Sequence, residues 1–164
     1  MIEAKNISKT YVQGTTQIHA LHEVSLDIAK GETVAIVGPS GSGKSTLMSL
    51  LAGLDQPGSG DIIFGNKSIA HLSEKDLAEF RAKNVGIVFQ QFHLMPHLTA
   101  LENVMLPLEL NRIENAETIA KDFLKKVGLE HRATHRPHEL SSGECQQVAI
   151  TETANAEARV TFGR

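Results

Sequence analysis

The sequence predicts an α/β fold in which a buried strand, a glycine-rich loop and a helix form one unit. Thr33 to Val37 is a short β-branched run with no polar face, the pattern of a strand covered on both sides. It leads through Gly38 to Gly43 straight into Lys44 to Leu54, which reads as a helix. Ahead of this unit, Met1 to Tyr11 and Ile18 to Ile28 alternate polar and apolar residues, as at Leu21, Val24, Leu26 and Ile28, and so predict half-buried antiparallel strands. The class is therefore α/β with an N-terminal antiparallel β subdomain.

The remaining elements follow from punctuation and periodicity. Lys30-Gly31 supplies a turn, Gln56 to Gly60 is a second turn, and Asp61 to Phe64 is a strand. Ser73-Glu74-Lys75-Asp76 has the pattern of a helix-starting cap before Leu77 and Phe80, and Val85 to Phe89 returns as a strand. The apolar residues of Leu98 to Leu110 fit a helix, and Ala116 to Val127 gives an amphipathic helix closed by Gly128, so this part predicts a small helical insertion. Ser141 to Ala158 is a last helix, after which Val160 and Phe162 begin another strand. There is no internal repeat, low-complexity tract or long linker, and a single domain is expected over residues 1–164.

Composition excludes several functions. Hydrophobic residues at 41% and charged residues at 21% are ordinary globular values. A formal charge of -3, a pI near 6.2 and scattered lysines argue against a nucleic-acid partner, which a basic stripe would mark. Cys145 stands alone and cannot form an internal disulfide, and Met1 to Ala4 opens no basic-then-apolar signal pattern, so a cytoplasmic location is expected. Apolar runs such as Val34 to Val37 fall far short of the roughly 20 residues needed to cross a bilayer. Any membrane role must come through a partner.

Gly38-Pro39-Ser40-Gly41-Ser42-Gly43-Lys44-Ser45 satisfies the G-x-x-x-x-G-K-[ST] pattern between a strand and a helix, the context its chemistry requires. Glycines let the backbone curl around a phosphate with its N–H groups pointing inward, and the following helix adds its positive end. Lys44 is expected at the β- and γ-phosphates, the Ser45 hydroxyl on Mg²⁺, and Thr46 on an α-phosphate oxygen. The bland alternative is a glycine-rich turn.

Phosphate loops occur in kinases, GTPases and motors, so three further segments carry the assignment. Leu140-Ser141-Ser142-Gly143-Glu144 resembles the signature Leu-Ser-Gly-Gly-Glu of ABC transporter ATPases, departing at Ser142. A plain capping box of Ser141 with Glu144 is the alternative, and both can hold at once. Val88-Phe89-Gln90-Gln91-Phe92, followed by Leu-Thr-Ala-Leu-Glu-Asn-Val, is similar to the family's Q-loop region, with Gln90 at the glutamine position and Gln91 as the alternative register. Tyr11, after Lys9-Thr10, sits where the family places an aromatic residue, the alternative being an edge-strand tyrosine. Leu-Ala-Gly-Leu-Asp, with the spacing before the Q-loop, resembles the lipoprotein-releasing and macrolide-export branch.

The resemblance implies an ABC-type P-loop NTPase core binding ATP with Mg²⁺. It implies that Tyr11 stacks on adenine, that Gln90 binds Mg²⁺ and tracks the attacking water, and that Ser141, Ser142, Gly143 and Glu144 contact ATP held by the other subunit of a head-to-tail homodimer. It further implies integral membrane permease subunits as partners, and a place at the inner face of the cell membrane through them. Their coupling helix would meet residues 92–104, where exposed Phe92, Leu94 and Met95 would suit a groove.

Carried forward without gaps from Glu144, the family register puts Val160 to Gly163 on the strand that ends in a Mg²⁺-holding Asp. Arg164 then falls on the Asp position, and the water-polarising Glu, the D-loop and the switch histidine are expected to be missing with the rest of the C-terminal part. The domain is thus expected to be incomplete, with its helical and signature segment at about 92–145. Departures gather at Cys145, Gln147, Thr151, Glu152 and Thr153. Losing the carboxylate removes general-base help of roughly 10² to 10⁴, so hydrolysis is expected to be weak or absent. A non-catalytic nucleotide-binding module, an inert remnant and a P-loop kinase are the rival readings. His131, His135, His138 and Cys145 lack a zinc pattern, and Glu139 and Glu144 read as surface or capping groups.

Overall fold

The computed structural model describes residues 1–89, 92–154 and 160–163. Two compact units divide at Glu79 and Phe80, inside one helix.

The first unit, Met1–Glu79, is led by a long hairpin of β1 (Ile2–Gln13) and β2 (Thr16–Ile28). They pair antiparallel from Ile2 opposite Ile28 to Gln13 opposite Thr16. The register shifts along the way, where Asn6 and Glu23 take left-handed φ of 49° and 47° and their N–H groups are met by Ser25 Oγ at 2.8 Å and Ser8 Oγ at 2.9 Å. These serines satisfy ladder groups that the irregularity would leave unpaired. β3 (Ser59–Phe64) pairs with the other edge of β1, and a two-residue strand β4 (Lys67–Ser68) completes a sheet ordered β2-β1-β3-β4. Ile2, Ala4, Ile7, Leu21 and Ile62 are buried, as the alternation requires, together with Leu47, Leu50 and Leu51 of helix α1 (Lys44–Leu51).

One expected element does not form. Residues 32–39 lie in neither helix nor strand, and Val34 and Val37 are 47% and 88% exposed. A strand without a polar face is stable only when ladder partners and covering layers hold it on every side. The antiparallel sheet of this unit takes its strands from elsewhere, and among the described residues none pairs with Thr33–Val37. The apolar run records what the segment could bury, not what it pairs with here.

The second unit contains α3 (Ala100–Leu110), α4 (Ala116–Lys126) and α5 (Ser142–Ala154), packed around Ala100, Val104, Leu108, Ala120, Leu124, Leu129 and Val148. Thr99 starts α3 with a reciprocal box: Glu102 N–H donates to its hydroxyl at 3.2 Å, and Thr99 N–H donates to the Glu102 carboxylate at 2.7 Å. Gly128, at φ 76°, follows the end of α4 where the sequence placed a stop. The 3₁₀ turns Glu130–Arg132 and Pro137–Glu139 lead into α5. Two strands, β5 (Val85–Val88) and β6 (Val160–Gly163), pair in parallel from Val85 opposite Val160. α2 (Glu74–Asn84) carries the chain across the division and begins under Ser73, whose hydroxyl accepts from Asp76 N–H at 3.2 Å. Among the described residues no helix is long and apolar enough to cross a membrane.

Candidate functional site

The phosphate loop closes on itself through its lysine. Lys44 Nζ donates to the carbonyls of Gly38 at 2.8 Å and Pro39 at 2.6 Å, and lies 3.4 Å from Ser42 Oγ. The ammonium thus spans the loop, bound to neutral oxygens that a polyanion would outcompete. Gly43 caps α1 in a left-handed conformation, φ 85°, with no side-chain cap, so the first N–H groups of the helix are left to other acceptors. A Cβ on Gly43 would lie 2.5 Å from the Ala20 carbonyl oxygen and 2.9 Å from Leu21 Cδ2. The hairpin therefore presses directly on the mouth of the helix. Ser45 and Thr46 lie half-buried in its first turn. Cation, hydroxyls, left-handed glycine and helix N-terminus together make a donor set that fits a phosphate chain with its Mg²⁺.

Tyr11 stands near the far end of β1, 39% exposed. Its hydroxyl donates to Asp55 Oδ2 at 2.9 Å. Asp55 is delivered by the end of α1: Gly53, at φ 66°, follows the Ala52 C-cap, its N–H donates to Leu50 O, and Leu54 N–H returns to Ser49 O at 2.8 Å. Sequence reasoning took Asp55 only as the last residue of the Leu-Ala-Gly-Leu-Asp segment and gave it no role in the site. The local sign of a structural role was an acidic residue two places after that helix-ending glycine.

Gln90 and its alternative Gln91 lie outside the described residues. On either side, Phe89 and His93 stack with centroids 4.5 Å apart, and Phe92 and His93 both take left-handed φ. Of the three apolar residues expected to be exposed beyond the Q-loop, Met95 is, at 50%, whereas Phe92 is half-buried and Leu94 packs on the helical core. Leu94 is drawn inward because the loop is clamped to α3 by buried Asn103. Its Oδ1 accepts from Met95 N–H at 2.7 Å, and its amide donates to the carbonyls of Met95, Leu98 and Thr99. A polar residue between apolar Leu101 and Val104 was the available sign.

The signature-like segment forms the capping box. Ser141 Oγ accepts from Glu144 N–H at 3.2 Å, and Ser141 N–H donates to Glu144 Oε2 at 2.7 Å. Arg132 Nε donates to the other Glu144 oxygen at 2.9 Å, while its Nη1 lies 3.2 Å from His135 Nε2. The bonds from Ser141, backbone first and then hydroxyl, with Arg132 behind them, lower the Glu144 carboxyl from 4.5 to about 2. A lowered carboxyl stabilises the folded state fully above its unfolded value and loses that contribution as pH falls. The difference in thermal stability between the parent and Glu144→Ala is therefore expected to hold steady above 4.5 and to shrink as pH falls toward about 2. Thermal unfolding of the two proteins at stepped pH measures it. A difference that grew on acidification would contradict the box.

Gly143 has ordinary helical geometry, and a Cβ there would meet nothing within 4 Å. Its fold does not ask for glycine. Among the described residues no three His, Cys, Asp or Glu side chains converge to hold a metal, and Glu139 bonds back to Arg136 N–H as a local cap.

Residues 21–162 match the family model described as ABC transporter. A dimeric, post-hydrolysis state of the ATP-binding cassette MJ0796 bound to ADP and Pi is 40% identical, with a TM-score of 0.90 over 99% of this chain and 73% of that one. A second dimeric structure, of MJ0796 as a bacterial ABC transporter cassette, is 41% identical with the same TM-score and coverage. The phosphate loop at the mouth of α1, the antiparallel hairpin beside it and the helical segment with its capped signature are the parts of one α/β ATPase fold, and the chain belongs to the ABC transporter family as an ATP-binding cassette.

Proposed function

We propose that this chain is the ATP-binding subunit of a transporter, holding ATP with Mg²⁺ and passing the effect of binding and hydrolysis to integral membrane permease subunits at the inner face of the cell membrane. The observation that carries the reading is Lys44 spanning a loop of oxygens at the N-terminus of α1, where Gly43 is the cap residue. Residues 1–164 make up a single nucleotide-binding domain, shorter than the cassettes they match, of which the chain spans 73%. The branch is the lipoprotein-releasing and macrolide-export one, by the Leu-Ala-Gly-Leu-Asp segment.

In this reading Gly38 to Gly43 wrap the phosphates with backbone N–H groups, Lys44 neutralises the β- and γ-phosphates, and Thr46 takes an α-phosphate oxygen. Ser45 and Gln90 would hold Mg²⁺, which would offset the charge of the phosphates. Tyr11 stacks on the adenine. Hydrolysis further needs a carboxylate beside the attacking water.

Ser141 to Glu144 serve the partner's ATP in a head-to-tail homodimer. The support for this is Gly143, a glycine in the first turn of α5 at which a Cβ would meet nothing within 4 Å, so that the fold gives no reason for it. Gly143→Ala is therefore expected to leave thermal stability unchanged or slightly raised while abolishing MgATP-driven dimerisation in sedimentation experiments. A loss of stability with dimerisation intact would remove the signature role.

Calorimetric titration with MgATP tests the function as a whole, with phosphate release and phosphoryl transfer to added acceptors followed in parallel. Saturable MgATP binding that depends on Lys44 is the expected result. Transfer to an acceptor other than water would identify a P-loop kinase instead, and absence of binding would leave only an inert remnant.

A further inference from the structure

Strand alternation puts Lys9 and Tyr11 on the same face of β1, and both reach the turn after α1. Lys9 Nζ, with its side chain only 16% exposed, donates to Asp55 Oδ1 at 2.6 Å and to the Gln56 carbonyl at 2.6 Å. It also sits 5.2 Å from the centre of the Tyr11 ring. Asp55 accepts in addition from Gln56 N–H at 2.7 Å and from the Tyr11 hydroxyl at 2.9 Å, so all its partners fix one orientation. Gln56 is tied down in turn, its amide donating to Leu72 O at 2.6 Å.

A tyrosine that stacks on a base needs none of this for chemistry. It needs its ring plane held, because a free aromatic side chain loses part of its stacking energy to ordering. We propose that Lys9 and Asp55 are positioning residues that set the plane of Tyr11 for the nucleotide base and tie the base side of the site to the turn that follows α1. The inference rests on the reading of Tyr11 as the base-stacking residue. The Tyr11 phenol is raised above its ordinary value, by burial first and then by its bond to Asp55. Burial would raise the Asp55 carboxyl, but its bonds from Lys9, Gln56 and Tyr11 outweigh that and hold it low. Both shifts belong to an ionised carboxylate gripping a neutral phenol.

The chain holds one tyrosine and no tryptophan, so its intrinsic emission reports Tyr11 alone. A phenol bonded to a carboxylate is quenched, and Asp55→Asn is expected to brighten it. Stacking worth on the order of 1 kcal/mol corresponds to about 5-fold in affinity. Asp55→Asn and Lys9→Met are each expected to weaken MgATP by about 3- to 10-fold, a range around that value. Inorganic tripolyphosphate, which has no base, is expected to bind unchanged. Asp55→Asn adds nothing further in a Tyr11→Ala background. Equal weakening of tripolyphosphate, full additivity with Tyr11→Ala, or unchanged emission would overturn the proposal and leave the pair a structural link. Lys9→Met carries the test where Asp55→Asn fails to fold. Tyr11→Ala with unchanged MgATP affinity would overturn the stacking reading along with the proposal, while a failure of the phosphate-loop reading shows separately, in Lys44→Ala.

Discussion

Replacing Lys44 by alanine is expected to weaken MgATP binding by about 10- to 100-fold, the value of one charge-assisted hydrogen bond of roughly 1.5–3 kcal/mol. In the structure its ammonium already lies across the loop, on the carbonyls of Gly38 and Pro39. Those bonds join exposed groups to a surface cation, so their loss costs the fold little. Thermal stability should therefore change only slightly while affinity falls, and calorimetry beside a melting curve separates the two. Lys44→Arg tests the shape of the requirement. A planar guanidinium is longer and delivers its donors in a fork, where this loop closes around a compact ammonium, so arginine should recover only part of the affinity. Binding within twofold of the parent in Lys44→Ala would remove the loop from the nucleotide site.

The parts of this chain that were legible are those whose signal is local. The hairpin follows from alternation, since a one-residue slip would turn Ile2, Ala4 and Leu21 to water. The loop follows from glycine spacing, and the starts of α2, α3 and α5 lie at Ser73, Thr99 and Ser141, whose hydroxyls each accept an N–H three residues on. What was not legible depends on partners far along the chain. Thr33–Val37 has a strand's composition, but composition cannot name the neighbour that completes a ladder, and the sheet beside it draws instead on Ser59–Phe64. Asp55 matters because Lys9 and Tyr11, more than forty positions earlier, meet it. Asn103 matters because one amide can serve the carbonyls of Met95, Leu98 and Thr99 at once. In sequence both are single polar residues near helices, with nothing to mark them as clamps. The signature segment shows the reverse case, in which one pattern carries two meanings: Ser141 and Glu144 form a structural cap, and Gly143, where a Cβ would meet nothing within 4 Å, has no structural reason to be glycine.

Gly43→Ala is expected to destabilise the first unit by about 2–5 kcal/mol and to abolish MgATP binding, a larger effect than at any other position of the loop. Two costs combine. A left-handed conformation, here φ 85°, costs an L-residue roughly 1–2 kcal/mol. The added Cβ would also lie 2.5 Å from the Ala20 carbonyl oxygen, a backbone atom of β2 held by its ladder to β1, and yielding there costs roughly another 1–3 kcal/mol. Gly41 separates the terms. It has nearly the same conformation, φ 79°, but nothing within 4 Å of a Cβ, so Gly41→Ala should show the conformational cost alone. The gap between the two variants in denaturant midpoint then measures how hard the hairpin presses on the helix mouth. Since the same pressure sets the direction in which the first N–H groups of α1 point, relief by a shift of β2 would move the donors and lose the nucleotide even in molecules that remain folded. Equal stability of the two variants, with MgATP binding retained in Gly43→Ala, would show that hairpin and loop are independent and that the close approach at Ala20 does nothing for the site.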